Sequence, residues 1–229
     1  SAVKNVELFF ARVIGYRNTN VSASAKATKI LGKNRLIPVG ITEDNWNIVN
    51  KNLLTPAKII KIKVISKSSD DEGFISDKGN FYGLSLGGPG GSTYEANLGY
   101  GYPGNLIVSS IIDTETGNMV GPTKEGLKIR LEGNAKEMAC TIDLNTLNIV
   151  HKCGQDGKYC PRLAYVPIFK PEDEEKGLTG KTKVVIQGFA EFFITDGNAP
   201  GEINGVFLSW NPVNDATGTV NPNYVRLIE

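Results

Sequence analysis

Histidine is nearly missing from this chain: His151 is the only one. A histidine-based metal centre would therefore have to be completed by carboxylates alone, which is poor ground for a zinc or copper site. Cysteine is scarce as well, with three residues at 140, 153 and 160. A C-x6-C spacing beside one histidine lacks the four ligands and tight pairs of structural zinc. No charge of one sign dominates, since 25 basic residues face 24 acidic ones. That balance offers no basic face for nucleic acid. Long apolar runs are lacking too: residues 36–41 and 184–194 are too short, or too interrupted by glycine and polar residues, to form a membrane helix. There is no internal repeat and no heptad pattern.

What is present is the composition of a folded domain. Hydrophobic residues make up 40% and charged residues 21% of 229 positions, outside the disordered range and enough for a sizeable core. Glycine is abundant at 26 residues, which suits a chain of strands and turns. Apolar or alternating runs at 60–64, 81–86, 106–112, 163–169, 183–194, 206–210 and 224–228 read as strands. Turn clusters rich in Gly, Pro, Asp and Ser separate them at 68–73, 87–92, 170–177 and 196–201. The run at 183–194 is apolar on both faces and is expected in the middle of a sheet. Residues 6–14, apolar on nearly all sides and ended by Gly15, are expected as a short helix. Val21, Ala23, Ala25 and Ala27 then alternate with polar residues, as on a strand with a small-residue face. A second helix is expected near 123–131, with Thr123 as N-cap and Gly133 as stop. The expected fold is mainly β, with mixed antiparallel sheets in a sandwich-like arrangement and these two short helices.

The cysteines suggest an oxidising compartment. Cys153 and Cys160 flank a loop with two glycines, and their expected state is a disulfide, with Cys140–Cys160 the alternative pairing.

Catalytic signals are weak. Gly83-Leu84-Ser85-Leu86-Gly87 fits G-x-S-x-G, and Asp113 or Asp143 followed by His151 gives the Ser–Asp–His order. That motif needs a sharp strand-to-helix turn, and the Leu-Gly-Gly-Pro-Gly-Gly that follows Ser85 reads as a hairpin turn incapable of starting a helix. The same glycines are not expected to cradle phosphate, because no Gly-Lys-Ser/Thr follows. The acidic runs at 70–72 and 172–175 lack spaced calcium-ligand geometry and read as solvated loops. Asn20-Val21-Ser22 is a glycosylation sequon, meaningful only in a eukaryotic secreted protein. No catalytic, cofactor-binding or metal-binding residue is expected.

Several segments, in order along nearly the whole chain, resemble one family. Leu8-Phe-Phe-Ala-Arg with Val21-Ser-Ala-Ser-Ala resembles the end of the pilin-like N-terminal region of TadE/TadG-type proteins of the tight-adherence (Flp) pilus apparatus, and Leu36-Ile-Pro-Val-Gly-Ile resembles the family's Pro-x-Gly-Ile junction that follows it. Gly79-Asn-Phe, Tyr94-Glu-Ala-Asn-Leu, Cys160-Pro-Arg-Leu-Ala-Tyr-Val-Pro-Ile and Gly188-Phe-Ala-Glu-Phe-Phe resemble the exported region of its Gram-positive members. The most specific stretch is Thr114-Glu-Thr-Gly-Asn-Met-Val-Gly-Pro-Thr. The von Willebrand-type Asp-x-Ser-x-Ser pattern of larger relatives does not occur. The resemblance implies a remnant of the pilin-like region at 1–30 and an exported β domain at 31–229. It implies a non-catalytic cell-surface component that contacts pilus or secretion-apparatus proteins and is held by an N-terminal membrane anchor in the full-length protein.

Two other readings compete with it. Trp46, Trp210 and the tyrosines at 94, 100 and 102 offer stacking faces for a carbohydrate- or surface-binding module. Ser85 offers a hydrolase. Within the specific stretch, Gly117, Asn118, Met119, Gly121, Pro122 and Thr123 are expected to form a structural corner. Gly117 and Gly121 would supply positive φ, Met119 would plug the core, and Thr123 would cap the helix.

Overall fold

The computed structural model describes residues 2–7, 18–23, 35–51, 58–63, 82–132, 140–150, 160–195 and 200–211. The chain forms two compact units, Ser1–Ile30 and Leu31–Glu229.

In the first unit, β1 (Ala2–Glu7) pairs antiparallel with β2 (Asn18–Ala23), Val3 opposite Ser22 and Val6 opposite Thr19. The helix expected at 6–14 is thus corrected at its start, where Val6 and Glu7 are extended; residues 8–14 lie outside the described residues.

The second unit is strand-rich with mixed sheets. Its first elements are β3 (Ile41–Thr42), α1 (Glu43–Lys51), β4 (Ile60–Lys63), α2 (Gly91–Tyr100) and β5 (Ile111–Asp113). They are followed by α3 (Val120–Glu132), β6 (Thr141–Ile142), β7 (Ile149–Val150), β8 (Leu163–Pro171), β9 (Lys183–Ile194) and β10 (Ile203–Asn211). In place of two stacked sheets, the described strands form one six-stranded sheet of order β3-β8-β9-β10-β4, with β5 on β9, and the separate ribbon β6-β7. Only β3 on β8 is parallel in the large sheet.

β9 is central, as its two-faced apolar pattern demands. Its last residues pair with β10 and its first with β5, while β8 runs along its whole length. Around the β5 end the pairing closes on itself. β8 bonds the segment around Leu36 and β3, Val39 bridges Gly83, Leu84 bridges Thr114, and β5 returns to β9. A closed circuit leaves no free edge on that side. It encloses Leu36, Tyr82, Leu84, Phe169, Val184 and Ile186, all buried.

The opposite face of β8, β9 and β10 carries Val166, Ile168, Phe192, Ile194 and Phe207, covered by Trp46 of α1, Tyr94 and Leu98 of α2, and Leu127 of α3. Trp46 meets the Phe207 ring edge-on at 5.0 Å between centroids, and Phe192 lies 4.8 Å from Phe207. Burying side chains of this size contributes on the order of 2–3 kcal/mol each. α1 starts where it does because the Thr42 hydroxyl accepts a hydrogen bond from Asn45 N–H at 3.2 Å, with Glu43 and Asp44 in the positively polarised first turn. Neither α1 nor α2 was expected from the sequence. No helix among the described residues is long and apolar enough to cross a membrane.

Candidate functional site

The specific stretch at 114–123 and the glycine-rich loop at 87–90 come together. α2 begins at Gly91, directly after the loop, so the glycines do lead into a helix, contrary to the expectation that they could not. Gly87, Gly88 and Gly90 all have positive φ, which is why a run of glycines is needed to bring the chain into the helix at this angle.

The positive end of α2 is occupied by the protein itself. The Glu115 side chain, 5% exposed, accepts from Gly90 N–H through both carboxylate oxygens, at 3.2 and 3.3 Å. A carboxylate there is favoured by the helix dipole and by the unpaired amides of the first turn. One turn further along, the Tyr94 hydroxyl bonds the Thr123 hydroxyl at 3.2 Å, both groups buried. Burial is the main cause that pushes the Tyr94 phenol well above its ordinary value, with the negative charge of Glu115 adding to it and the bond to Thr123 opposing it. Asn97, also buried, donates to the Leu86 carbonyl at 2.7 Å, tying α2 to the segment that precedes the loop. At the far end Arg130 of α3, 2% exposed, donates from Nε to the Leu98 carbonyl at 2.6 Å and from Nη1 to Pro161 at 3.1 Å. The two helices touch closely through Gly126, where a Cβ would sit 2.9 Å from Leu98 Cβ and 3.0 Å from the Glu95 carbonyl oxygen.

The corner is built differently from the expectation. Gly117 has φ 76° and Met119 has φ 46°, while Gly121 is an exposed residue of the helix. Met119, half-buried, packs on the main cluster, and its carbonyl accepts Thr123 N–H at 2.9 Å. That bond makes Met119 the N-cap residue and puts Pro122 in the first turn, where a missing N–H leaves nothing unsatisfied. Thr123 lies inside α3, and its hydroxyl serves Tyr94 instead of a cap. Asn118 is half-buried.

The described residues of the G-x-S-x-G reading are Ser85, Asp113 and Asp143. Ser85 N–H donates to the Asp113 carbonyl at 2.9 Å, an ordinary sheet bond, and residues 86–90 separate Ser85 from α2. The Asp113 carboxylate pairs with Lys181 at 3.5 Å and Lys183 at 3.6 Å. Asp143 accepts from Asn145 N–H at 2.8 Å and from the Thr146 hydroxyl at 2.9 Å, and these local bonds hold its carboxyl below the usual range. His151 lies outside the described residues.

The expected Cys153–Cys160 disulfide is corrected, and so is its Cys140–Cys160 alternative. Cys160 is a free, buried thiol, while Cys140 is disulfide-bonded; Cys153 lies outside the described residues. Cys160 lies in a buried cluster with Cys140, Leu163 and Phe193, and its carbonyl accepts Leu163 N–H at 3.0 Å, so short sequence spacing was a poor guide to the partner.

Of the aromatic residues suggested as stacking faces, Trp46 and Tyr94 are core, at 0% and 1% exposure. Tyr102 is half-buried, its ring close to where side chains would stand at Gly87 and Gly104, and Tyr100 is exposed. The Trp210 side chain lies outside the described residues. In the acidic loop, Asp173 accepts from the N–H groups of Glu175 and Lys176 and Glu174 pairs with Lys170, while the run at 70–72 lies outside the described residues. Among the described residues no three metal-ligating side chains are grouped.

Protein-family models, curated proteins and solved structures give no match to this chain.

Proposed function

We propose that this chain is a non-catalytic interaction module, the exported part of a cell-surface pilus-assembly or adhesion component, acting through contacts with pilus or secretion-apparatus proteins. The observation that carries the non-catalytic part is the fate of the polar groups in the specific stretch. Thr114 accepts from Thr182 N–H and donates to the Gly180 carbonyl, Glu115 accepts from Gly90 N–H, and Thr123 bonds Tyr94. These three side chains are engaged in holding the fold, which suits an architectural clasp better than a reaction centre. The place and process come from the ordered resemblance to TadE/TadG-type sequences, and with them the extracellular location and the anchor in the full-length protein.

The test is a binding measurement with a chemical control. The purified chain is mixed with the major pilin subunit and with p-nitrophenyl acetate in parallel. Saturable binding to the pilin, with ester turnover no faster than that of the Ser85→Ala variant, is the expected result. Turnover that Ser85→Ala abolishes overturns the reading in favour of a hydrolase. Binding to a glycan panel instead of the pilin overturns it in favour of a carbohydrate module.

A further inference from the structure

The main sheet ends differently on its two sides. Beyond β8 the pairing runs through β3, the segment at 82–86 and β5 back to β9, so no edge is left there. Beyond β10 the sheet stops at β4, and among the described residues no strand pairs with the outer edge of β4. That strand reads Ile60-Lys61-Ile62-Lys63. Ile60 and Ile62 pack on the main cluster, Ile62 being 1% exposed, and the lysines hold the alternate positions of a period-two strand. The inner neighbour of β4 already answers one of them: Lys61 Nζ lies 3.5 Å from a carboxylate oxygen of Glu202, the residue before β10.

We propose that the outer edge of β4 accepts an extended segment of a partner protein, in which acidic and apolar residues alternate, as one further strand of the sheet. The N–H and C=O groups along a sheet edge are matched by the backbone of any extended chain, so main-chain hydrogen bonds supply the attachment. The lysines supply the choice. A second copy pairing through the same edge would set lysines against lysines, and like charges across a strand pair oppose pairing. A partner with carboxylates at those positions gains opposite-charge pairs of the kind Lys61 makes with Glu202, while its apolar residues extend the face that Ile60 and Ile62 give to the core. The same lysines that keep the edge from pairing with itself thus select its partner. The inference concerns how an extended partner is held, and it stands whether or not that partner belongs to a pilus.

The test uses the full chain and short blocked peptides, one of alternating glutamate and valine, the other of alternating lysine and valine, each labelled for fluorescence anisotropy. The glutamate peptide is expected to bind saturably, and the lysine peptide at least about tenfold more weakly. Binding of the glutamate peptide should weaken as salt rises. Hydrogen exchange should slow at the amides of β4 in the complex. Lys63→Glu is expected to reverse the preference between the two peptides.

Absence of saturable binding by the glutamate peptide overturns the proposal, as does equal binding of the two peptides. Binding that leaves exchange at β4 unchanged overturns it too. A dimer of the chain that protects the same amides without any peptide assigns the edge to a second copy and has the same consequence. Should Lys63→Glu fail to fold, the two peptides and the exchange pattern of the wild-type chain decide alone. A pilin subunit that binds the chain while both peptides fail overturns this inference and leaves the proposed function standing.

Discussion

The sheet core and the α2–α3 clasp lie in the same unit and are specified by different physics. In the core, Trp46 packs edge-on and Phe192 at a tilt against Phe207, and shape does the specifying. In the clasp, buried polar atoms meet partners from distant parts of the chain: Glu115 with Gly90, Tyr94 with Thr123, Arg130 with Leu98. A core of the first kind tolerates a swap of similar volume. A buried polar pair tolerates loss of both partners better than loss of one, because the widowed group keeps its desolvation penalty. The two regions should therefore respond oppositely to isosteric and to truncating substitutions.

The largest expected effect is in the core. Phe207→Ala removes the ring that both Trp46 and Phe192 pack on, and should cost about 3–5 kcal/mol in urea unfolding. Phe207→Leu should recover most of it. If Phe207→Leu costs as much as Phe207→Ala, edge-to-face geometry rather than volume governs this core, and the contrast fails.

The clasp comes next. Glu115→Ala leaves the Gly90 N–H without its acceptor beside a small cavity, and is expected to cost about 2–3 kcal/mol. Glu115→Gln keeps one acceptor oxygen and should cost less than half as much. Equal losses for the two variants would show that the carboxylate's charge at the helix end, and not the hydrogen bond, is what matters.

How much of this was legible depends on where the partners lie in sequence. β9 was readable to the residue at 183–194 because its pattern is local and apolar on both faces. α3 was readable from Lys124 to Leu131 with Thr123 as its cap, and its start was misplaced by a turn because Met119 adopts a positive φ that no local rule assigns to methionine. α1 carried a signal that went unused, Thr42 followed by Glu43 and Asp44. α2 had no such signal. Glycines precede it, no side chain caps it, and its stability comes from Glu115 and Gly126, each more than a helix length away in sequence. The site shares that limit: the stretch at 114–123 stood out, yet its contacts with Gly90 and Tyr94 are long-range pairings that spacing does not reveal.

Alkaline pH offers a milder probe of the clasp. Tyr94 keeps its proton in the folded state above the ordinary value of 10.0, whereas the unfolded chain loses it near that value. Above about pH 10 the unfolded state binds fewer protons, so this contribution to stability is present below that pH and declines above it, by about 1.4 kcal/mol per pH unit. Tyr94→Phe should flatten the decline. An unchanged slope in the variant would mean that Tyr94 is reached by solvent and that the clasp opens at high pH.

The smallest effect is also the sharpest test of the contrast. Thr123→Val preserves shape and removes the hydroxyl that meets Tyr94 at 3.2 Å in a buried setting. Tyr94→Phe removes the other partner. Each alone leaves one hydroxyl buried without its mate and should cost about 1 kcal/mol. The double variant leaves no hydroxyl at either position, so its loss should be no larger than that of one single variant, giving a coupling of about 1 kcal/mol in a double-mutant cycle. In the core the same logic predicts little coupling of this kind, because no polar atom is stranded when a ring is trimmed. Strictly additive losses at positions 94 and 123 would mean that water enters the clasp and satisfies whichever hydroxyl remains. The clasp would then be held by the close helix contact at Gly126 and by Glu115, with the Tyr94–Thr123 bond contributing nothing of its own.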